Sequence, residues 1–240
     1  MHLGYPSFSE GKDRELLVCQ WLDSISHDAE AIYLLGDVFD FWYEYKRVIP
    51  KGFTRFLGRI AALCDRGIPV HVFTGNHDVW MFDYLPKELG VTVHSEPLLL
   101  DLNGKRLMLH HGDGLGKADR GYRLMKGCFQ NKTLQWMFAH LLHPDFSQWI
   151  GQTWSCSSRR SKALTHTFMG EDEIITQFAR QTLAQQHIDY FVFGHWHSPI
   201  AYPLSDRSSL IILGDWLESY TYAQWDGQKV ELVKYNHKAQ

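Results

Sequence analysis

The chain has 240 residues, and its apolar content of 45% is typical of a globular protein that buries a sizeable core. A formal net charge of −3 provides no basic surface for nucleic acid, and the four cysteines lack the paired spacing of a zinc site or a disulfide framework. Because no apolar run reaches the roughly 20 residues of a membrane-spanning helix and no signal peptide precedes the domain, we expect a cytoplasmic protein, or one that binds a membrane only at its surface.

The first elements alternate between helix and strand. Helical spacing of apolar residues predicts helices over Glu10–Ser26 and Phe53–Arg66, and the apolar runs Ala31–Leu35 and Val70–Thr74 predict buried strands. A strand, a helix and a second strand in this order are typical of a parallel sheet with a right-handed crossover. Five aromatic residues lie between the first strand and the second helix, and we interpret them as a small core beneath a loop rather than as a stacking surface for substrate: Phe39, Phe41, Trp42, Tyr43 and Tyr45.

The middle of the chain adds antiparallel strands. Met81–Leu89 is predicted as a short helix and Val91–Val93 as a short strand. Asn103-Gly104 predicts a tight hairpin turn between the strands Leu98–Leu102 and Arg106–His110, since both turn positions need positive φ.

Residues Asp119 to about Ser161 break this pattern and predict an amphipathic helical insert rich in large apolar side chains. The insert is either a cap packed on the core or a surface for acyl chains and lipid, and both interpretations stay open. Cations beside an apolar surface would suit a substrate with an acyl part and an anionic part. The basic residues lie at both ends of the insert: Arg120, Arg123, Lys126, Arg159, Arg160 and Lys162.

The last third of the chain returns to ordinary elements. Glu171–Gln186 is predicted as a helix with an acidic first turn, and Tyr190–Phe193 as a buried strand. Three further β segments follow, with a hairpin turn at Asp226-Gly227: Leu210–Leu213, Ser219–Gln224 and Lys229–Tyr235.

Four of the predicted strands end in polar motifs. The motifs that follow these strands are GDVFD at 36–40, GNHD at 75–78, HGD at 111–113 and GHWH at 194–197. Because ligands of open α/β sheets bind outside the carboxyl ends of the strands, we expect these carboxylate, amide and imidazole groups to lie together. A single ending of this kind is also typical of a helix N-cap, but four of them indicate a site for divalent cations such as Mn²⁺.

The four motifs, in this order, resemble the motif series of the calcineurin-like metallophosphoesterases. Asp119 and Gly121-Tyr122, together with the aromatic insert, are similar to the UDP-2,3-diacylglucosamine hydrolase branch, which cleaves a diphosphate in lipid A synthesis. The resemblance runs over nearly the whole chain and implies a single domain, 1–240, with a cap insert at about 119–162. It also implies an α/β fold with a two-layered β-sandwich flanked by helices, two divalent metal ions that are usually manganese, and a cap that receives acyl chains.

The resemblance assigns roles by position. Asp37 would bridge the two metal ions, and His77 would lie beside the phosphate as a stabilising cation or as the acid for the leaving group. The other ligands would form two sets, the first of Asn76, His111 and His195 and the second of His2 and His197. Substrate contacts are implied for Asn76, His77, His195, Asp119 and Lys162. Asp119 could equally be a helix cap, and Lys162 could equally be a solvated lysine.

Other motif residues receive supporting roles. Asp40 and Asp78 are expected to orient ligand side chains or to cap turns, because carboxylates commonly hydrogen-bond to metal-bound histidines. His111 rather than His110 is taken as the ligand because it immediately precedes Gly-Asp. His77 matches the wider family, whereas members of the lipid A branch often have arginine at this position.

The start of the chain departs from the family pattern. The first family motif is Asp-x-His, and here only Met1-His2 matches its end. We therefore expect the native reading frame to extend upstream by about ten residues, the length of one strand with a lead-in. A chain that begins at Met1 would lack an anionic ligand and would bind its metal more weakly.

The sequence thus predicts a metal-dependent hydrolase that converts UDP-2,3-diacylglucosamine to UMP and 2,3-diacylglucosamine 1-phosphate, in the cytoplasm or on the inner face of the inner membrane. Two alternatives stay open. The first is a soluble phosphodiesterase or nucleotidase of the same family, with the insert only a packed cap. The second is a scaffold of this fold that has lost catalysis, which the absent aspartate favours.

Overall fold

The chain folds as a mixed α/β protein in which parallel and mixed sheets are flanked by helices, as predicted for the fold class. The computed structural model describes residues 1–7, 11–115, 120–162 and 168–236. At 120–124 and 156–162 it describes the backbone alone. Statements about the structure refer to these residues.

The first half of the chain forms a three-stranded parallel sheet in the order β1-β2-β3. The parallel pairing of β1 with β2 on either side of a helix confirms the predicted strand-helix-strand unit. The third helix begins at Tyr84 rather than at Met81. The elements are α1 (Lys12–Ile25), β1 (Ile32–Leu34), α2 (Thr54–Asp65), β2 (Val70–Phe73), α3 (Tyr84–Leu89) and β3 (Thr92–His94).

The second half forms a five-stranded mixed sheet in the order β4-β5-β6-β8-β7, together with a β9-β10 hairpin. Strands β5, β6 and β8 are parallel, and β4 and β7 pair antiparallel at the edges. Strand β7 contains Pro203, which is tolerated because β7 is an edge strand. The strands are β4 (Leu98–Leu102), β5 (Lys105–His110), β6 (Tyr190–Phe193), β7 (Ile200–Ser205), β8 (Ser208–Ile212), β9 (Thr221–Trp225) and β10 (Val230–Lys234).

Two local predictions have different outcomes. The turn between β4 and β5 is confirmed, since Asn103 and Gly104 have φ values of 49° and 79°. The single helix predicted over Glu171–Gln186 is wrong, because the segment divides into a 3₁₀ helix, Gly170–Asp172, and α7, Ile174–Leu183. The residue between them is Glu173, whose backbone is extended and whose buried carboxylate accepts a hydrogen bond from Trp196 Nε1 at 2.9 Å.

Alternate side chains of the strands pack in different layers. In the first sheet, Leu34 and Val72 belong to a core shared with α1 and α2. On the opposite face, Phe73 shares one cluster with Leu109 and Val192 of the second sheet. The far face of the second sheet packs against α7 through Phe193. The two sheets therefore share a core between them, which holds the ends of their strands in fixed relative positions.

Helices occupy the predicted insert, and its inner side is joined to the core by aromatic residues that follow β1 and β2. Phe41, Tyr43 and Trp80 are buried and pack against Phe129 and other residues of the insert. Trp80 Nε1 donates to the carbonyl of Phe129 at 3.0 Å. The interpretation of the aromatic residues as a small core is confirmed for Phe41 and Tyr43, against which Tyr45 packs. It is wrong for Phe39 and Trp42, which belong to the larger core shared with α1 and α2. The helices of the insert are α4 (Arg120–Gln130), α5 (Lys132–Leu141) and α6 (Pro144–Lys162).

The outer side of the insert is apolar and exposed. None of the side chains of α5, all of which the structure describes, is buried. Among the described helices, none has the length and hydropathy that would let it cross a bilayer. The insert thus packs on the core with one face and leaves another uncovered, and the large exposed side chains are Leu134, Trp136, Met137, Leu141, Phe146, Trp149, Ile150 and Trp154.

Gly151 tests how closely α6 is held against the core. A Cβ at this position would lie 2.3 Å from Cε2 of the buried Phe41, so Gly151→Ala must push the helix or the ring aside. We expect the free energy of unfolding to fall by about 1–3 kcal/mol in urea denaturation. The control is Gly127→Ala in α4, where a Cβ meets nothing within 4 Å and alanine should stabilise the helix by about 0.5–1 kcal/mol. Equal stabilities of the two variants would contradict the packing of α6 on Phe41.

Candidate metal centre

The predicted motifs meet where β1, β2, β5 and β6 end. The N-terminal segment joins them because it runs parallel to the loop after β1, with His2 N donating to the carbonyl of Asp37 at 2.8 Å and Leu3 bridged to Phe39. Six side chains that the sequence analysis assigns as metal ligands are thereby brought together: His2, Asp37, Asn76, His111, His195 and His197.

The first group of side chains surrounds His111 Nε2. This nitrogen lies 3.4 Å from Asp37 Oδ2, 3.3 Å from Asn76 Oδ1 and 3.2 Å from His195 Nδ1. One atom each from Asp37, His111 and His195 lie within 4.8 Å of one another. A carboxylate, an amide oxygen and two imidazoles at this spacing could hold one divalent cation.

The second group shares Asp37 with the first. His2 Nε2 lies 3.6 Å from Asp37 Oδ2 and 3.3 Å from His197 Nε2, and the three side chains form a second set within 4.8 Å. Asp37 is 3% exposed and its Oδ2 lies close to an imidazole of each group. The arrangement therefore fits two cations that share one carboxylate, as in two-metal phosphoesterase sites.

A third group links the site to His77. His2 Nδ1 lies 3.8 Å from Asp40 Oδ1, and ligand atoms of His2, Asp40 and His77 again lie within 4.8 Å of one another. Asp40 is buried beside the His2 nitrogen that faces away from Asp37. A carboxylate there orients the imidazole, in agreement with the role expected for Asp40.

Hydrogen bonds distinguish the two neighbouring histidines at the end of β5. His111 Nδ1 lies 2.7 Å from the carbonyl of Leu35, which can only accept, so Nδ1 carries a proton and Nε2 is the nitrogen that faces the centre. His110 Nδ1 instead accepts from the backbone N–H of Gly112 at 3.0 Å, and burial lowers the pKa of His110 to about 4. His110 is thus a neutral buried strand residue, as expected.

The charges at the centre stabilise one another. Burial opposes ionisation of Asp37, but the positive charges of His111 and His77 hold the pKa of Asp37 well below its usual range. Burial likewise works to lower the pKa of His111, yet the charge and hydrogen bond of Asp37 raise it to about 9. A buried anion that draws positive charge toward itself is an environment that a metal cation would also stabilise.

Backbone strain is concentrated at the site. Seven non-glycine residues among those described have positive φ, and four of them are candidate ligands: His2 (56°), Asp37 (49°), His195 (69°) and His197 (57°). Such conformations are uncommon for residues with a side chain and cluster at functional sites. Gly75 allows the two loops to approach each other, because a Cβ there would lie 2.2 Å from Asp37 Oδ1.

Asp78 joins the loops after β1 and β2 rather than capping a helix. Its carboxylate accepts four backbone N–H groups, those of Gly75 (2.8 Å), Asp37 (3.2 Å), Val38 (2.7 Å) and Phe39 (3.2 Å). Burial, and then the charge of Asp37, raise the pKa of Asp78 to about 7 against the effect of these donors. The turn-holding role expected for Asp78 is confirmed.

Several residues whose side chains contact the motifs lie outside them. Ser155 Oγ of α6 lies 2.7 Å from His77 Nδ1, and Lys126 of α4 forms a 3.0 Å ion pair with the buried Asp113, so Lys126 holds the insert in place. Asp215 lies behind His197, and its sequence signal is a Gly-Asp pair that follows β8 as other Gly-Asp pairs follow β1 and β5. The contacts of Ser155 and Lys126 depend on how the insert docks, which has no local signal.

The remaining predicted substrate contacts stay predictions. Asp119 lies outside the described residues, and Lys162 is the last residue of α6 with its side chain also outside them. His77, Asn76 and His195 lie at the centre, as described above.

Comparison with known proteins identifies the family. The calcineurin-like phosphoesterase family matches residues 12–199 of the chain. The chain belongs to this family. The predicted resemblance and the prediction of a metallophosphoesterase hydrolase are thereby confirmed.

Several bacterial proteins named UDP-2,3-diacylglucosamine hydrolase are similar to this calcineurin-like phosphoesterase over most of their lengths. The protein from Porphyromonas gingivalis is 38% identical over 245 residues, covering 96% of this chain and 93% of its own. The protein from Hahella chejuensis is 30% identical, covering 89% and 87%, and that from Aeromonas salmonicida is 28% identical, covering 88% and 82%.

Gly75 offers a test of the centre of this phosphoesterase. Gly75→Ala places a Cβ 2.2 Å from Asp37 Oδ1 and must displace the shared carboxylate. We expect Mn²⁺ affinity, measured by calorimetric titration of metal-free protein, to fall by at least about tenfold. Gly58→Ala in α2 is the control, since a Cβ there meets nothing within 4 Å and should leave the affinity unchanged. Unaltered Mn²⁺ binding by Gly75→Ala would mean that Asp37 does not hold the ion.

Proposed function

We propose that this protein hydrolyses the diphosphate of UDP-2,3-diacylglucosamine, releasing UMP and 2,3-diacylglucosamine 1-phosphate. The observation that supports the reaction type is the convergence of imidazole and amide groups on the buried Asp37 in a calcineurin-like phosphoesterase. The names of the similar proteins support the substrate, and the apolar face of the insert supports its acylated part. The finer fold, a β-sandwich domain with a cap over about 119–162, is part of the same proposal.

Two divalent ions would be held with Asp37 between them. Asn76, His111 and His195 would complete one site, and His2 and His197 the other. When bound, such a pair lowers the pKa of a water molecule to make a nucleophile and stabilises the phosphoryl oxygens of an in-line displacement. The donor set of carboxylate, amide oxygen and imidazole, without thiolate, suits Mn²⁺.

The chain's own groups orient the phosphate and handle the leaving group. His77 is held at one ring nitrogen, because its Nδ1 lies 2.7 Å from Ser155 Oγ and 3.2 Å from the carbonyl of Asp40. We assign it to stabilise developing negative charge or to protonate the leaving oxygen. Water adds to the phosphorus nearer the uridine, the bond from this phosphorus to the bridging oxygen breaks, and that oxygen leaves with the sugar phosphate. Further substrate contacts are proposed for Asn76, His195, Asp119 and Lys162.

The acyl chains are proposed to contact the uncovered face of the insert. Trp136, Leu141 and Trp149 are 57%, 67% and 60% exposed, which is unusual for such large apolar side chains. Burying one of these side chains fully against a lipid would stabilise the bound state by about 1.5–3 kcal/mol. A lipid substrate or the surface of its membrane would therefore be retained there. Localisation in the cytoplasm or on the inner face of the inner membrane is part of the same proposal.

Metal removal tests the reaction type. We expect chelator-treated protein to release no UMP from the substrate and added Mn²⁺ to restore the activity. Asp37→Ala and His195→Ala should each lower kcat/KM by about 10²–10³-fold or more, because each removes a group that holds the charge-stabilising ions. His27→Ala is the control, since this histidine is exposed and remote from the motifs. Full activity in the chelated protein would overturn the metal-dependent mechanism. Absence of hydrolysis in the Mn²⁺-loaded protein would instead favour the alternative of a non-catalytic scaffold.

Substrate comparison tests the lipid part. We expect kcat/KM for UDP-2,3-diacylglucosamine to exceed that for the same nucleotide sugar without acyl chains. Trp149→Ser should raise KM for the acylated substrate by about 10-fold or more, which corresponds to the loss of one apolar contact. KM for the substrate without acyl chains should not change. Leu16→Ser is the control, because Leu16 is also an exposed apolar residue but lies on α1. Equal turnover of the two substrates would instead favour a soluble phosphodiesterase.

A further inference from the structure

A carboxylate outside the four motifs lies behind one of the candidate ligands. Strand β8 runs parallel to β6 and lies next to it, so Gly214-Asp215 at the end of β8 comes beside GHWH at the end of β6. Asp215 Oδ2 lies 3.9 Å from His197 Nδ1, and the Asp215 side chain is 11% exposed. At this distance the carboxylate acts on the Nδ1–H group through its charge rather than through a direct hydrogen bond.

The Asp215 carboxylate is held in place by the turn that follows it. Its Oδ1 accepts from the backbone N–H groups of Leu217 (3.3 Å), Glu218 (2.9 Å) and Ser219 (3.0 Å) and from Ser219 Oγ (3.0 Å). These donors all use Oδ1, so Oδ2 is the oxygen that faces His197. A Cβ at Gly214 would lie 2.2 Å from Ser219 Oγ, so the turn also depends on this glycine.

The ring of His197 has Asp215 on one side and the candidate centre on the other. Its Nε2 lies 3.3 Å from His2 Nε2, in the group that includes Asp37. Two of the other candidate imidazoles show the same pattern: His111 Nδ1 meets the carbonyl of Leu35 at 2.7 Å, and His2 Nδ1 lies 3.8 Å from Asp40 Oδ1. His195 differs, because its Nδ1 faces the centre and lies 3.2 Å from His111 Nε2. In His197, His111 and His2, an oxygen beside Nδ1 favours a proton there and leaves Nε2 as the nitrogen that a cation would take.

We propose that Asp215 is a positioning residue for cation binding, which keeps the proton of His197 on Nδ1 and so sets the affinity of the site formed by His2, Asp37 and His197. The inference rests on the proposed function in one respect, that the centre binds two divalent ions. Asp215 touches neither the ions nor the substrate, and it acts through His197 alone.

The test is a calorimetric titration of metal-free wild-type and Asp215→Asn protein with Mn²⁺. Asparagine keeps an oxygen for the turn but removes the charge beside Nδ1, so we expect one of two binding steps to weaken about 10–100-fold while the step at Asp37, Asn76, His111 and His195 is unchanged. Hydrolysis should fall at limiting Mn²⁺ and recover in excess Mn²⁺. The control is Asp226→Asn, since Asp226 also accepts two backbone N–H groups but lies in an exposed hairpin turn.

The outcomes separate the two claims. Two Mn²⁺ steps of unchanged affinity in Asp215→Asn would overturn the positioning role and leave the proposed function intact. A wild-type protein that binds no Mn²⁺ would overturn both. If Asp215→Asn does not fold, ¹⁵N NMR of the wild-type histidine rings decides, because a proton on Nε2 of His197 would overturn the inference and a proton on Nδ1 supports it.

Discussion

A buried carboxylate between two imidazoles is the interaction on which the rest of the site depends. Asp37 Oδ2 lies 3.4 Å from His111 Nε2 and 3.6 Å from His2 Nε2, with almost no access to water. Removing an ion from water costs several kcal/mol unless opposite charge accompanies it. The protein keeps Asp37 ionised, because the neighbouring imidazoles hold its pKa low, and the centre is consequently built to retain positive charge.

The two sheets supply the rigidity that this arrangement needs. Four candidate ligands have left-handed backbones, each of which costs of order 1–3 kcal/mol. That cost is offset by the shared core between the sheets and by Asp78, whose four N–H donors join the loops after β1 and β2. Four of the seven described non-glycine residues with positive φ thus have side chains that converge on the centre, while the strands before them are regular.

Much of this centre follows from the sequence because the direction of a strand determines where its last residue lies. The endings at Asp37, Asn76, His111 and His195 could be placed together from apolar runs that terminate in polar motifs. Asp215 carries a similar signature, Gly-Asp after an apolar run, so the same reasoning extends to it. Ser155 could not be found this way, since its contact with His77 is set by tertiary docking of α6 and by the close approach that Gly151 allows to Phe41.

The contact between Ser155 and His77 gives the insert a direct connection to the reacting end of the site. Helix α6 also carries Trp149, so one helix bears both an exposed apolar side chain and a hydroxyl group in contact with the His77 imidazole. Linked equilibria are reciprocal. A ligand that shifted α6 would alter the surroundings of His77, and a group that fixed the His77 ring would bias the placement of α6 by the same free energy.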